Sequence, residues 1–343
     1  MSVKQVSLEE FTKSITSLYT DVIGEKLGGK IHSFSDEWFA AAENLIKPNS
    51  PIRDATKFVY SGAWYDGWET RRHNTAEYDY VILKLGVSSA KLIGAEIDTA
   101  FFNGNHAPAI SIDAINTIDD SNLNVTSNNW EEIFNKTECG PSSRHFFVLD
   151  KLTEKTYTHV KLKMYPDGGI ARFRLYGEVE PNFEKLSIDS IVDYASVQNG
   201  GVVVDYSDQH FGTADNLLLP GRGHDMSDGW ETKRSRIPNH IDWVIIKLGT
   251  KINIDEIIID TAHFRGNFPA KVQIHTLSTD VKKPKFDDSK WIEILIPEKT
   301  FADKEHSFKK FVTNDGINNI THVKLTIIPD GGVKRVRVLG KRI

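Results

Sequence analysis

Hydrophobic and polar residues alternate with a period of two along much of the chain. Val160, Leu162 and Met164 are interleaved with Lys161 and Lys163, Phe173 and Leu175 with Arg172 and Arg174, and Val336 and Val338 with Arg335 and Arg337. Such alternation gives a strand one buried and one wet face. On that reading Lys161, Lys163 and Lys324 lie on solvated faces. Short apolar runs at residues 80–85 and 243–248 mark further strands. Gly, Pro and Asn separate these runs, and no long helical periodicity lies between them. The expected fold is all-β, built as antiparallel jelly-roll-like sandwiches. One exception stands at the N-terminus. Ser7-Leu8-Glu9-Glu10 forms a capping-box pattern and predicts a short helix over roughly residues 8–18, more a packing or assembly element than part of a site.

The pattern occurs twice. Asp66-Gly67-Trp68-Glu69-Thr70-Arg71-Arg72 returns as Asp228-Gly229-Trp230-Glu231-Thr232-Lys233-Arg234. Ser35-Asp36 answers Ser207-Asp208, Pro48 answers Pro220, and Asp98-Thr99-Ala100 answers Asp260-Thr261-Ala262. Thr158-His159-Val160-Lys161-Leu162 and Pro166-Asp167-Gly168-Gly169 return as Thr321-His322-Val323-Lys324-Leu325 and Pro329-Asp330-Gly331-Gly332. A long fixed period means a duplicated unit. The reading is an N-terminal helical extension over residues 1–23 and two sandwich repeats over 24–180 and 188–343. The join falls near residues 178–187, where Pro181 and Asn182 break the pattern. Residues 116–129 read as a surface loop.

Strand parity makes a spatial prediction. If consecutive strands are antiparallel, the heptapeptide, the loop at residues 101–106 and the Asp167-Gly168-Gly169 turn reach one rim of the first sandwich. Their counterparts do the same in the second. The residues delivered there form a carboxylate, amide and guanidinium constellation. Glu69, Asp98, Glu231, Asp260 and His263 are the candidate catalytic groups, since carboxylates and imidazole move protons. Arg71, Arg72, Asn103, Asn105, His106, Arg222, His224, Arg234, Arg265 and Asn267 are candidate substrate-binding groups: guanidinium forks grip carboxylates and amides pair with amide-like groups. Plain structural alternatives stand beside these. Trp68 and Trp230 read as core plugs, and Glu69 and Glu231 as partners of Arg71 or Arg234. Asp98 and Asp260 fit Asx turns, Asp167-Gly168-Gly169 fits a hairpin turn, and His159 and His322 fit structural positions.

The remaining composition narrows the function class. A net charge of −5 over 343 residues gives no basic field for nucleic acid or an anionic membrane. Cys139 is the lone cysteine, so an intrachain disulfide is excluded and a reducing, cytoplasmic setting is expected. Its counterpart region in the second copy has no Cys, which argues against a catalytic thiol. Apolar runs fall short of a membrane span, and no secretory h-region opens the chain. No cofactor is required by the pattern. A divalent metal, manganese for example, is the one cofactor weighed for the His and Asp residues; no ligand set is assigned, and no tight His spacing supports one. Homo-oligomerisation is left open.

Ser61 through Asn74, Asp98 through Pro108, residues 217–231, 260–269 and 164–174 resemble the repeat signatures of the allantoicase family. The resemblance covers the chain from about Gly24 onward. It implies tandem jelly rolls and a hydrolase of purine degradation that converts allantoate and water to ureidoglycolate and urea. The implied partner is a small-molecule substrate, with no nucleic acid and no membrane. The resemblance brings no residue-level mechanism; the site residues above come from the constellation itself. On that substrate Arg71, Arg72, Arg222, Arg234 or Arg265 would clamp the carboxylate, and Asn103, Asn105 and Asn267 would hold the ureido arms. Glu69 or Glu231 would protonate the departing nitrogen, with Asp98 or Asp260 as base for water. The second copy, with His263 and Arg265 in place of Phe101 and Asn103, is the favoured catalytic half. The rival class is a non-catalytic tandem ligand-binding protein of galactose-binding type.

Overall fold

The computed structural model describes residues 2–183 and 186–343, so Met1 and, within the expected join, Glu184 and Lys185 lie outside the described residues. The chain divides into two compact units, Met1–Pro181 and Asn182–Ile343. Each is an antiparallel β-sandwich.

In the first unit one sheet runs in the order Val3–Val6, Arg144–Leu149, Ala90–Asp98, Arg172–Val179, Thr20–Asp21. The other runs Glu131–Glu138, Ala109–Ile115, His159–Tyr165, Asp79–Lys84, Lys30–Phe34. Val81, Leu83, Ile110, Ile112, Phe173 and Leu175 are among its fully buried side chains. Burying each such side chain contributes on the order of 1.5–3 kcal/mol. Among the described residues the second unit repeats these pairings without a counterpart of the Val3–Val6 edge strand, and with one further change. Asp242–Asp260 is a single strand whose first half pairs with Val202–Tyr206 and Ile320–Ile328, and whose second half pairs with Glu305–Phe308 and Arg335–Arg342. The first unit breaks the same path between Lys84 and Ala90.

The N-terminal segment is more than a helix. Val3–Val6 pairs with Arg144–Leu149 as an edge strand. Ser7 then caps the helix Leu8–Phe11, its Oγ accepting the Glu10 N–H at 3.2 Å, and the turn continues as a π-helix over Thr12–Thr16. Phe11 and Ile15 are buried, and the absence of a side chain at Gly94 lets both approach the sheet.

The expectation of a wet face at Lys161 and Lys324 is overturned: both are buried. Residues 116–129 fold across the outer face of the sheet, with Leu123 joining Ile82 and Ile115 in a small apolar cluster against Tyr80 and Trp130. Lys161 sits beneath, its Nζ 3.0 Å from Asp113, 3.2 Å from the Val125 carbonyl and 4.6 Å from the centre of the Trp130 ring. Lys324 donates to the Phe286 carbonyl at 3.0 Å and lies under the Phe286 and Trp291 rings. Its burial lowers its pKa. The alternation in sequence records the strand, but the loop decides what covers it. Lys163 is half-buried and paired with Asp113 at 2.9 Å. His159 and His322 are buried; burial pushes His322 down to about 4, which keeps it neutral at physiological pH.

Cys139 is buried, and burial pushes its thiol up to about 12. A disulfide-exchange reagent at pH 8 should label native protein at least about a hundredfold more slowly than unfolded protein. Comparable rates in absorbance-monitored labelling would contradict this placement.

Candidate active site

The three rim segments of each unit meet, as strand parity requires. In the first, Trp68–Glu69 pairs with Gly169–Ile170, and His106 bridges to Gly169. In the second, Trp230–Glu231 pairs with Gly332–Val333, and the Gly332 N–H reaches the Asn267 carbonyl at 2.7 Å. The paired glycines explain the recurring Asp-Gly-Gly turn. Gly168 and Gly331 have φ of 143° and 134°, a region that disfavours side chains. A Cβ at Gly169 or Gly332 would collide with the ring of Phe102 or Phe264. Trp68 and Trp230 are fully buried beneath, each donating its indole N–H at 2.8 Å to the carbonyl of Asp36 or Asp208. Those aspartates also bond the N–H of Arg71 and Lys233 at 2.7 Å. The repeated aspartate of the Ser-Asp pair is therefore a latch on the heptapeptide, a role its sequence position did not suggest, while Ser35 and Ser207 bond Asp79 and Asp242.

Glu69 and Glu231 are held by amides, not by arginines. Asn105 Nδ2 donates to Glu69 Oε1 at 2.7 Å, and Asn267 makes the same bond to Glu231. Burial raises the Glu69 pKa, opposed by the Asn105 hydrogen bond and by Arg72. Arg71 instead pairs with Asp36 at 2.9 Å. Arg72 pairs with Asp167 at 3.1 Å and donates to the Gly104 carbonyl at 2.6 Å. Its counterpart Arg234 has no carboxylate within ion-pair distance among the described residues, and only a 3.4 Å contact to the Gly266 carbonyl. Asp330 accepts the Ser235 N–H at 2.8 Å in that half.

A cavity of about 800 Å³ opens on the second rim. Its lining includes the expected Glu231, Arg234, His263, Arg265 and Asn267, joined by Lys233. His210, Phe211 and Met226 also line it and were missed; His210-Phe211 follows the repeated Ser-Asp by one residue, which was the available signal. His263 has φ of 69°, held by the bond from its N–H to Asp303 at 2.8 Å. Arg265 is exposed and lies 3.5 Å from Asp303.

Other expected residues stand apart from this cleft. Asp260 and Arg222 are not among its lining residues. Asp260 is buried and gripped side-on by the Arg222 fork, with Nε to Oδ2 at 2.8 Å and Nη2 to Oδ1 at 2.9 Å. It also accepts the Ala262 N–H at 2.9 Å, the Asx turn. Asp98 makes the same turn through Ala100 at 2.8 Å and faces a separate cavity that Glu69 does not line. His224 and Asn103 are exposed, and the Asn103 carbonyl meets His106 Nδ1 at 3.1 Å. Two more rim arginines are spent inside the fold. Arg172 pairs with Asp66 at 2.7 Å, and Arg335 with Asp228 at 3.0 Å. Lys334, fully buried where the first repeat has Ala171, reaches Asp228 and the Asp225 carbonyl. Among the described residues no group of three His, Cys, Asp or Glu side chains is arranged to hold a metal ion, and no helix is long and apolar enough to cross a membrane.

The two aspartates should respond oppositely to neutralisation. Burial raises the Asp98 pKa. A carboxyl raised in the fold stabilises below its unfolded pKa, and that contribution is lost as pH rises through the folded value. At neutral pH the Asp98 charge is therefore a cost. Asp98→Asn should keep or raise the thermal midpoint at pH 7, with the advantage shrinking as pH falls toward the unfolded carboxyl pKa. Asp260→Asn breaks the Arg222 fork and should lower the midpoint by about 2–4 °C, the effect of about 1 kcal/mol in a domain of about 150–250 residues. Equal losses in calorimetry would contradict this contrast.

Comparison with known proteins agrees with the duplication. A family model described as "Allantoicase repeat" matches residues 20–180 and again 192–343. Allantoicase from Saccharomyces cerevisiae is 59% identical over 326 residues, covering 93% of both chains. That from Neurospora crassa is 51% identical over 342 residues, covering 98% of this chain and 96% of the relative. The crystal structure of the Saccharomyces cerevisiae enzyme aligns with a TM-score of 0.87 at 54% identity, over 99% of this chain and 100% of that one. With the doubled sandwich, the paired rims and two matches to the repeat in one sequence, the chain belongs to the allantoicase family.

Proposed function

We propose that the cleft on the second repeat's rim is where this chain hydrolyses allantoate to ureidoglycolate and urea. Family membership makes the chain an enzyme of this class and sets aside the non-catalytic ligand-binding alternative. One observation supports the placement above the others. The cleft joins two carboxylates, Glu231 and Asp330, an amide, Asn267, and three cations, Lys233, Arg234 and Arg265. The equivalent arginine of the first repeat, Arg72, is occupied by Asp167.

The substrate carries matching groups. Its carboxylate suits the guanidinium of Arg234, with Arg265 and Lys233 adding positive field. Its ureido arms suit Asn267 and the backbone groups of the rim. The reaction replaces one C–N bond at the central carbon by a C–O bond. Water supplies hydroxyl to carbon and a proton to the departing nitrogen, so urea leaves neutral. Glu231 carries that proton in this reading, accepting it from water and passing it to nitrogen. Asn267 fixes the carboxylate orientation while leaving one oxygen for this work. His263 lines the cleft as a second proton-transfer group. Asp98 and Asp260 take no catalytic part in this reading, and the Asp260–Arg222 pair supports the loop wall. A cytosolic setting belongs to the same proposal and suits a lone buried thiol.

Urea release from allantoate, measured before and after chelation, tests activity and any metal need. Glu231→Gln should lower kcat by about 100-fold or more with the fold intact. Glu69→Gln should stay close to the unmodified enzyme. The reverse ranking would move the reaction to the first repeat.

A further inference from the structure

The repeats share a skeleton but differ sharply at one buried aspartate. In the second, the Asp260 carboxylate is filled by the Arg222 fork. In the first, the residue in Arg222's place is Ser50, since Pro48-Asn49-Ser50 answers Pro220-Gly221-Arg222. Asp98 is 5% exposed, keeps the Ala100 bond, and among the described residues has no cation within ion-pair distance. A cavity of about 640 Å³ stands in front of it, with Ser50, Glu96, Asp98 and Arg144 in its wall. Pro48 and Pro51 also line it and restrict the backbone on either side of Ser50.

The nearby cations are already committed. Arg144 donates to Glu96 at 2.7 Å, Arg172 to Asp66 at 2.7 Å, and Arg174 lies 3.7 Å from Asp21 while bonding the carbonyls of Leu45 and Lys47. A buried carboxylate beside an open polar cavity, with its neighbours otherwise engaged, favours a partner that donates two parallel N–H groups. The other half of the same chain shows what such a partner looks like.

We propose that the first repeat binds a small planar N–H fork, a guanidinium, amidinium or ureido group, against Asp98 in the place Arg222 fills in the second. None of its lining residues belongs to the cleft of the second rim, and Glu69 of the first rim does not line it, so the proposal stands whichever rim performs the hydrolysis. It gives the chain a second station for ureide-type or guanidino-type molecules.

The full chain should be titrated with methylguanidinium and with methylurea, with methylammonium and sodium chloride as controls at equal ionic strength. Either fork should raise the thermal midpoint and appear in soaked crystals facing Asp98; which one does so tells a cationic from a ureido ligand. Asp98→Asn should weaken methylguanidinium binding about tenfold or more. Ser50→Arg should supply the missing fork internally and abolish the response. Arg222→Ser should open the matching cavity in the second repeat, lower stability, and be rescued by methylguanidinium but not by methylammonium. The proposal fails if neither fork is favoured over the controls, if Asp98→Asn binds as the unmodified chain does, or if crystals show the Arg144 guanidinium on Asp98.

Discussion

A buried guanidinium at the root of each rim is the contact on which the rest depends. Arg172 and Arg335 are almost wholly buried at the start of the last long strand. Arg172 donates to the carbonyls of Asn49, Asp66 and Ala171 and to the Asp66 carboxylate. Arg335 donates to those of Gly221, Asp228 and Lys334 and to Asp228. One side chain thus ties the approach loop, the heptapeptide and the strand together. Burial lowers Arg335 to about 10, which still leaves it charged at neutral pH. Buried pairs of this kind add little net stability against an apolar substitute, but removing one partner costs about 3–5 kcal/mol. Their contribution here is to hold one arrangement of the loops.

On that common root the two halves carry different rim side chains. Arg72 is closed onto Asp167, whereas Arg234 is left to the cleft. Ala171 gives way to the buried Lys334, whose ammonium braces the loop carrying Arg222 through Met226. Ser50 gives way to Arg222. Each change moves positive charge without disturbing the strands, because all of them fall on loops or on the first residues of a strand. Duplication kept the frame and released the rim.

Much of this was legible in the sequence. Period-two alternation marked the strands, and the long repeat fixed two sandwiches and paired their loops. Parity showed which segments share an end. It could not show on which side of that end a carboxylate faces, and so Asp98 and Asp260 were grouped with Glu69 and Glu231. The Asx bonds through Ala100 and Ala262 turn them aside. Lys161 and Lys324 looked solvated because alternation describes a strand alone, and their cover comes from loops with no periodicity. The exchange of Ser50 for Arg222 lies in approach loops of unequal length, where the repeat loses its register. Asp36 and Asp208 were visible as repeats, but the two hydrogen bonds each accepts from the heptapeptide need coordinates.

The strand Asp242–Asp260 carries one further implication. It belongs to both layers of its sandwich, so the two layers share one continuous strand, with the register shifting between Lys247 and Ile252 where it passes from one to the other. Peeling either layer away pulls on hydrogen bonds of the other. The first half has a seam at residues 85–89, where the corresponding path leaves one sheet before entering the next. Local opening that parts the layers can thus begin at a break in the first half, whereas in the second it must disturb a strand common to both.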